Sequence, residues 1–197
     1  QFMLDRFHES DLHDVFMDES GNASAILPGT RRSNVIMVSA HADTVFEEDS
    51  HPAMLVGQDS ITGPAIADNS LGLATVASLP MLLDRLGIRL ADDLLLVGTT
   101  RSLGRGNLDG IKNFLSTRRV PIRMGVCVEG AELGRLSYSG LGMVRGEIQL
   151  KIPPDYDWNR FGASGAIGHL ARVVNSIMEI PIPREPKTRI AFGSLRC

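Results

Sequence analysis

Three apolar runs stand out along the chain, at 34–40, 93–99 and 123–128, rich in Val, Ile, Leu and Met and each followed by a polar or glycine-bearing turn. Unbroken runs of this length are typical of central parallel strands covered on both faces. Helical patterns alternate with them. Residues 71–87 set Leu71, Ala74, Leu79, Leu82, Leu83 and Leu86 on a broad apolar face, interrupted at Pro80 and closed near Gly87. Residues 107–118 place Leu108, Ile111, Phe114 and Leu115 at helical spacing, with Asn107 as the N-cap. The succession strand, helix, strand, helix, strand predicts an α/β layer fold.

Upstream, Asp14 to Pro28 alternates like an edge hairpin around Asp18-Glu19-Ser20-Gly21-Asn22, where Gly and Asn supply turn geometry. The pattern changes after Gly142. Met143 to Ile152 is one β-like run, Phe161 to Ile180 is mostly helical, and a proline-rich break at 181–186 precedes a further strand, Thr188 to Ser194. These boundaries predict a first domain over 1–142 and a smaller, incomplete α+β unit over 143–197.

Composition narrows the classes. With 197 residues, 43% of them hydrophobic, the chain can bury a substantial core. A net charge of -3, from 20 basic and 23 acidic residues, argues against a nucleic-acid or polyanion binder. The pairs Arg31-Arg32 and Arg118-Arg119 read as solvated loop and helix-end charges. Two cysteines make no disulfide framework, which points to a reducing compartment, with Cys127 as a small core residue. No apolar run approaches the roughly eighteen residues of a membrane span, and no leader opens the chain, so the expectation is a soluble cytoplasmic protein without membrane contact. The start at Gln1 and the stop at Cys197, just after a strand-like stretch, suggest a chain trimmed at both ends.

The first apolar run ends in His41-Ala42-Asp43-Thr44-Val45. Imidazole is a good zinc ligand, and a carboxylate two residues on can hold the far ring nitrogen, fixing tautomer and orientation. Asp68, in the turn Gly63 to Gly72 ahead of the second helical pattern, has an ordinary reading as a helix-terminal charge. Glu129 follows the strand Met124 to Val128, at the edge of an α/β sheet where ligand sites gather. Together His41, Asp68 and Glu129 are the right number and type of ligands for a zinc site with an open position.

These motifs, with the hairpin Asp18 to Asn22 and the segment Val128-Glu129-Gly130, resemble the di-zinc exopeptidase and deacylase family, which includes carboxypeptidase G, peptidase T, acetylornithine deacetylase, succinyl-diaminopimelate desuccinylase and aminoacylase. The similarity runs over essentially the whole chain, and residues 156–167 resemble the start of the family's lid. The resemblance implies a mixed, mainly parallel sheet sandwiched by helices, with the beginning of a ferredoxin-like lid that often dimerises. It implies hydrolysis of a small peptide or N-acyl amino acid. His41 then resembles a zinc ligand oriented by Asp43, Asp68 the bridging ligand, and Glu129 the acidic ligand that completes the site with His41.

The departures from the family are equally specific. Its Glu-Glu pair, general base and second-zinc ligand, falls on Ser102 and Leu103 in Thr99-Thr100-Arg101-Ser102-Leu103-Gly104. Serine has no carboxylate to take a proton from the attacking water, and leucine has no ligand atom. The lid histidine falls on Tyr156, and the second zinc's terminal histidine belongs to a family segment beyond this chain. One zinc ion at most is therefore expected, with weak or absent hydrolysis, or a non-catalytic relative that binds a ligand or assembles through its lid. Recruiting Glu132 or Asp109 as the base would need a different loop register.

Other residues fit plainer roles. His8, His13, His51 and His169 read as surface or helix-packing histidines, and Trp158 and Phe161 as lid packing. Ser102 lacks a Gly-x-Ser-x-Gly turn, and Gly104-Arg105-Gly106 is too short for a dinucleotide loop.

Overall fold

The computed structural model describes residues 1–46, 54–118, 120–130, 132–140, 142–151 and 165–193. Tyr156, Trp158, Phe161, His51, Arg119 and Cys197 lie outside the described residues. The chain divides into two compact units, Gln1–Leu136 and Ser137–Cys197.

The first unit is built on a five-stranded mixed sheet. Its elements run α1 (Phe2–Glu9), β1 (His13–Met17), β2 (Ala23–Leu27), β3 (Val35–His41), β4 (Leu55–Val56), β5 (Ile61–Thr62), α2 (Leu71–Arg85), β6 (Asp93–Thr99), α3 (Asp109–Thr117) and β7 (Ile122–Cys127). The strand order is β1-β2-β6-β3-β7. β3 pairs in parallel with both β6 and β7, whereas β2 runs antiparallel to β6 and to β1. The three apolar runs are thus the three parallel strands, and the turn Asp18 to Asn22 closes the β1–β2 hairpin as its alternation predicted.

β6 is the sheet's central strand and is buried along its whole length. Because side chains alternate across a strand, Leu94 and Leu96 enter one core and Leu95 and Val97 the other. The first core receives Met3 and Phe7 of α1 with Val76 and Ala77 of α2, and the second receives Phe114 of α3. Leu95, Leu96 and Phe114 are almost wholly removed from solvent, each contributing about 1.5–3 kcal/mol by burial. The sheet is therefore covered on both faces, the α/β layering read from the sequence.

Several local expectations are corrected. α2 runs through Pro80, which is buried; its inward face is Gly72, Val76, Ala77 and Pro80 with Leu79 and Leu83 packed beside them as expected, while Leu71, Leu82 and Leu86 point outward. The stretch Ile66–Arg85 has the length and apolarity of a membrane span. Its buried face packs on the sheet. Asn107 is not an N-cap. It takes a left-handed φ of 51° and ends the short turn Gly104–Gly106, a conformation asparagine adopts more readily than most residues. β7 lies at the sheet edge rather than at its centre, leaving Met124 and Cys127 exposed, so Cys127 is no core residue. α1, whose Met3 and Phe7 are one helical turn apart, and the small β4–β5 hairpin escaped the sequence reading.

In the second unit the regular element among the described residues is α4 (Gly165–Met178). The described parts of the two expected strands, 143–151 and 188–193, form none. An isolated strand gains little without a paired neighbour, and here Met143 and Val144 stay exposed.

Candidate metal centre

Parallel pairing sets His41 opposite Thr99 and Ser39 opposite Cys127, so β3, β6 and β7 end along one edge of the sheet. Two backbone bonds carry the register past the strand ends, Ala42 N–H to the Thr99 carbonyl and Val128 N–H to the Ser39 carbonyl, both 2.7 Å. His41 ends β3, the loop 100–106 follows β6, and Glu129 lies two residues past β7. Asp68 comes to the same edge from the turn before α2.

The geometry of His41 is informative. Its Nδ1 lies 2.9 Å from the backbone carbonyl of Asp43. A carbonyl can only accept, so Nδ1 carries the proton and Nε2 is left facing outward. Nε2 lies 2.9 Å from Asp68 Oδ1 and 3.6 Å from Glu129 Oε2. His41 is buried, whereas the Asp68 and Glu129 side chains are 61% and 56% exposed, so the group is anchored from within and open to solvent on its carboxylate side.

A fixed Nε2 with two carboxylate oxygens around it is an arrangement of acceptors that a cation, either a proton or a metal ion, can complete. All three ligand atoms lie within 4.8 Å of one another. Zinc bonds of about 2.0–2.2 Å to nitrogen and oxygen, set tetrahedrally, would place neighbouring ligand atoms roughly 3.4 Å apart. The two histidine-carboxylate distances bracket that spacing. The donor set therefore fits one zinc ion, with His41, Asp68 and Glu129 as ligands and the open side for a fourth.

Asp43 acts differently from its expected role. Its Oδ1 lies 3.8 Å from His41 Nδ1, beyond hydrogen-bond reach, so the backbone carbonyl rather than the carboxylate orients the ring. Oδ2 accepts the amides of Ser102 and Leu103 at 2.8 and 2.7 Å, while Oδ1 is buried with no hydrogen-bond partner among the described residues. Burial pushes the Asp43 carboxyl up. The amides of Leu103, Ser102 and Asp43 itself, with His41 adding to them, outweigh that and hold it below the usual carboxylate range.

Ser102 and Leu103 thus contact Asp43 through their backbone amides, and neither side chain carries a carboxylate. The Ser102 hydroxyl lies 3.3 Å from Thr99 Oγ1 and makes no other hydrogen bond among the described residues. Asp109 faces Lys112 at 3.8 Å and Glu132 faces Arg135 at 3.1 Å, and neither belongs to the metal-ligand group.

The sequence reading missed the residue that joins the halves of the site. Asn69, 2% exposed, donates from Nδ2 to the Val128 carbonyl at 2.8 Å and accepts the Gly72 amide on Oδ1 at 3.1 Å. Its signal was an asparagine in a polar break before a helix, where short amides bond locally to backbone. Two glycines allow the contact. A Cβ on Gly130 would overlap the Ala67 carbonyl oxygen, and one on Gly72 would come within 2.6 Å of the Val128 carbonyl oxygen.

A buried asparagine also fixes the loop after β6. Asn22 accepts the Thr100 amide at 2.9 Å and donates to the Gly110 carbonyl at 3.0 Å, while Asp18 holds the hairpin turn through the amides of Ser20 and Asn22.

No protein-family model matches this sequence, and neither does any curated protein. Among solved structures, a tripeptidase from Staphylococcus aureus aligns over 65% of this chain and 36% of its own, at 18% identity and a TM-score of 0.51. The aminopeptidase PepT from Bacillus cereus aligns over the same shares at 19% identity and a TM-score of 0.50. At these identities the likeness establishes a shared α/β fold, and the chain spans little more than a third of either structure's length.

Proposed function

We propose that this chain is a divergent relative of the zinc exopeptidases and deacylases, with a single metal site and weak hydrolysis of small peptides or N-acyl amino acids. The observation that carries the reading is the convergence of His41 Nε2, Asp68 Oδ1 and Glu129 Oε2 while Nδ1 is committed to the Asp43 carbonyl. The fold shared with a tripeptidase and an aminopeptidase supports the same lineage.

When bound there, zinc supplies Lewis-acid polarisation of a substrate carbonyl. His41, Asp68 and Glu129 would hold it, while the Asp43 carbonyl fixes the ring of His41 and Asn69 keeps Asp68 and Glu129 in register. A positioned general base typically contributes a hundred- to ten-thousand-fold in rate. The loop 100–106 offers none, so turnover is slow. The reading takes the protein as cytoplasmic, with dimerisation through its second unit.

The occupied amides of Ser102 and Leu103, where the resemblance implies carboxylates, favour a second reading in which the site binds a ligand without turning it over. Zinc-loaded protein assayed on dipeptides, tripeptides and N-acetyl amino acids separates the two. Slow turnover lost in His41→Ala supports the hydrolase, zinc binding without turnover supports the ligand-binding relative, and failure to bind zinc overturns both.

A further inference from the structure

We propose that the groove between β1 and the C-terminal end of α3 binds a small zwitterion, an α-amino acid with an apolar side chain. The groove measures about 680 Å³ and combines three kinds of wall: apolar Phe16 and Met17, the cation of Arg118, and the carboxylates of Asp18 and Glu19.

Arg118 is held in place there. Its guanidinium lies 4.7 Å from the centre of the Phe16 ring and 5.7 Å from that of Phe114, and Nη1 donates to Ser24 Oγ at 2.8 Å. Ser24 pairs with Phe16 across the β1–β2 hairpin, so one face of the hairpin supplies two of the three contacts. With Nη1 committed, Nε–H and Nη2 remain as parallel donors, the fork that takes a carboxylate side-on. Arg118 is half-buried, yet among the described residues no carboxylate comes within ion-pair distance of it, and Asp14 acts from farther away. The exposed Arg6, Arg32, Arg89 and Arg135 each face one. A partly desolvated fork gains more from an ionised partner than an exposed one does, because less water competes for its donors.

The acidic residues decide the class of ligand. Asp18 accepts the amides of Ser20 and Asn22 on Oδ1 and the side-chain amide of Asn22 on Oδ2, which fixes it at the turn. Glu19 is exposed and makes no ion pair or hydrogen bond among the described residues. Two carboxylates and one guanidinium in the same groove repel a simple anion, whereas a ligand with an ammonium beside its carboxylate meets both signs. Phe16 and Met17, 41% and 44% exposed, leave apolar surface for the rest of the ligand. An α-amino acid joins a carboxylate, an ammonium and an apolar group on one carbon, the three features these walls address.

Nitrogen-detected shifts on the chelator-treated chain, titrated with L-leucine, test the assignment independently of the metal centre. Saturable shifts are expected at the Glu19, Asn113 and Thr117 amides and at Arg118 Nε–H. Leucinamide and N-acetylleucine, each lacking one charge, and glycine, lacking the side chain, should all bind more weakly. Arg118→Gln should weaken leucine binding about tenfold or more, through loss of the charge-assisted fork. Glu19→Gln, an exposed change that leaves the fold intact, should weaken it about two- to fivefold. Absence of saturable shifts, shifts confined to the metal centre, leucinamide or N-acetylleucine binding as tightly as leucine, or binding unchanged in both variants would overturn the assignment. The result stands apart from zinc binding, which tests the metal site alone.

Discussion

Asn69 donates to the carbonyl of Val128 across 59 positions of sequence, at 2.8 Å, and through that bond the turn carrying Asp68 is tied to the strand end carrying Glu129. Both partners of the buried amide are backbone groups, so its loss leaves a carbonyl and an N–H unpaired. Asn69→Ala should cost about 2–4 kcal/mol of stability, from one to two buried unsatisfied groups, and lower zinc affinity about ten- to a hundredfold. Asn69→Asp is the sharper probe, since it keeps the acceptor for Gly72 but sets an oxygen against the Val128 carbonyl. Denaturant unfolding and chelator competition measure the two effects, and a variant with unchanged zinc affinity would show that Asn69 does not set the ligand geometry.

The glycines at this junction predict a contrast. Gly130→Ala and Gly72→Ala place a Cβ against backbone that cannot move without separating Asp68 from Glu129. Each should destabilise the protein by about 1–3 kcal/mol as an overpacking change and weaken zinc binding. Gly140→Ala and Gly146→Ala meet nothing within 4 Å and should leave both properties unchanged. Parallel unfolding curves of the four variants provide the check.

Asp43→Asn distinguishes two ways of orienting His41. The carboxylate grips Ser102 and Leu103, while the backbone carbonyl, which the substitution keeps, holds the imidazole. Zinc affinity should therefore fall less than the roughly tenfold minimum typical of losing a ligand's orienting partner, while hydrogen exchange at the Ser102 and Leu103 amides accelerates. A large loss of zinc affinity with unchanged exchange would return the orienting role to the carboxylate.

Away from the site, Arg118 stacks over Phe16 at 4.7 Å and donates to buried Ser24 Oγ at 2.8 Å, so it is not the solvated helix-end charge its position suggested. Burial lowers its pKa and Asp14 opposes that shift. Arg118→Ala should cost about 1–2 kcal/mol through the lost cation–π contact and hydrogen bond. Phe114→Ala, beneath it in the second core, should cost about 3–5 kcal/mol. Thermal unfolding of both variants tests this ranking, which a larger effect at Arg118 would reverse.

What was legible in the sequence follows from which interactions leave a periodic trace. Strands β3, β6 and β7 could be read because each is one apolar run, and the convergence of His41, Asp68 and Glu129 on one sheet edge could be expected because they stand at or just past strand and turn ends. The inward face of α2 was read only in part: Leu79 and Leu83 pack against the first core as expected, whereas Leu71, Leu82 and Leu86 are exposed, and Gly72, Val76, Ala77 and Pro80 are the buried positions. β7 was read as central from composition, but strand order depends on long-range pairing that composition does not encode. Asn69, Asn22 and the Asp43 carbonyl were invisible for a related reason. Their partners lie far away in sequence or are backbone atoms common to every residue.

The most direct test is the zinc content of the purified chain after loading and exhaustive dialysis, measured with His41→Ala beside it. One zinc ion per chain, absent from His41→Ala, is the predicted result. Two ions per chain would contradict the single-site reading, and none, or zinc retained in His41→Ala, would remove His41, Asp68 and Glu129 as a metal centre.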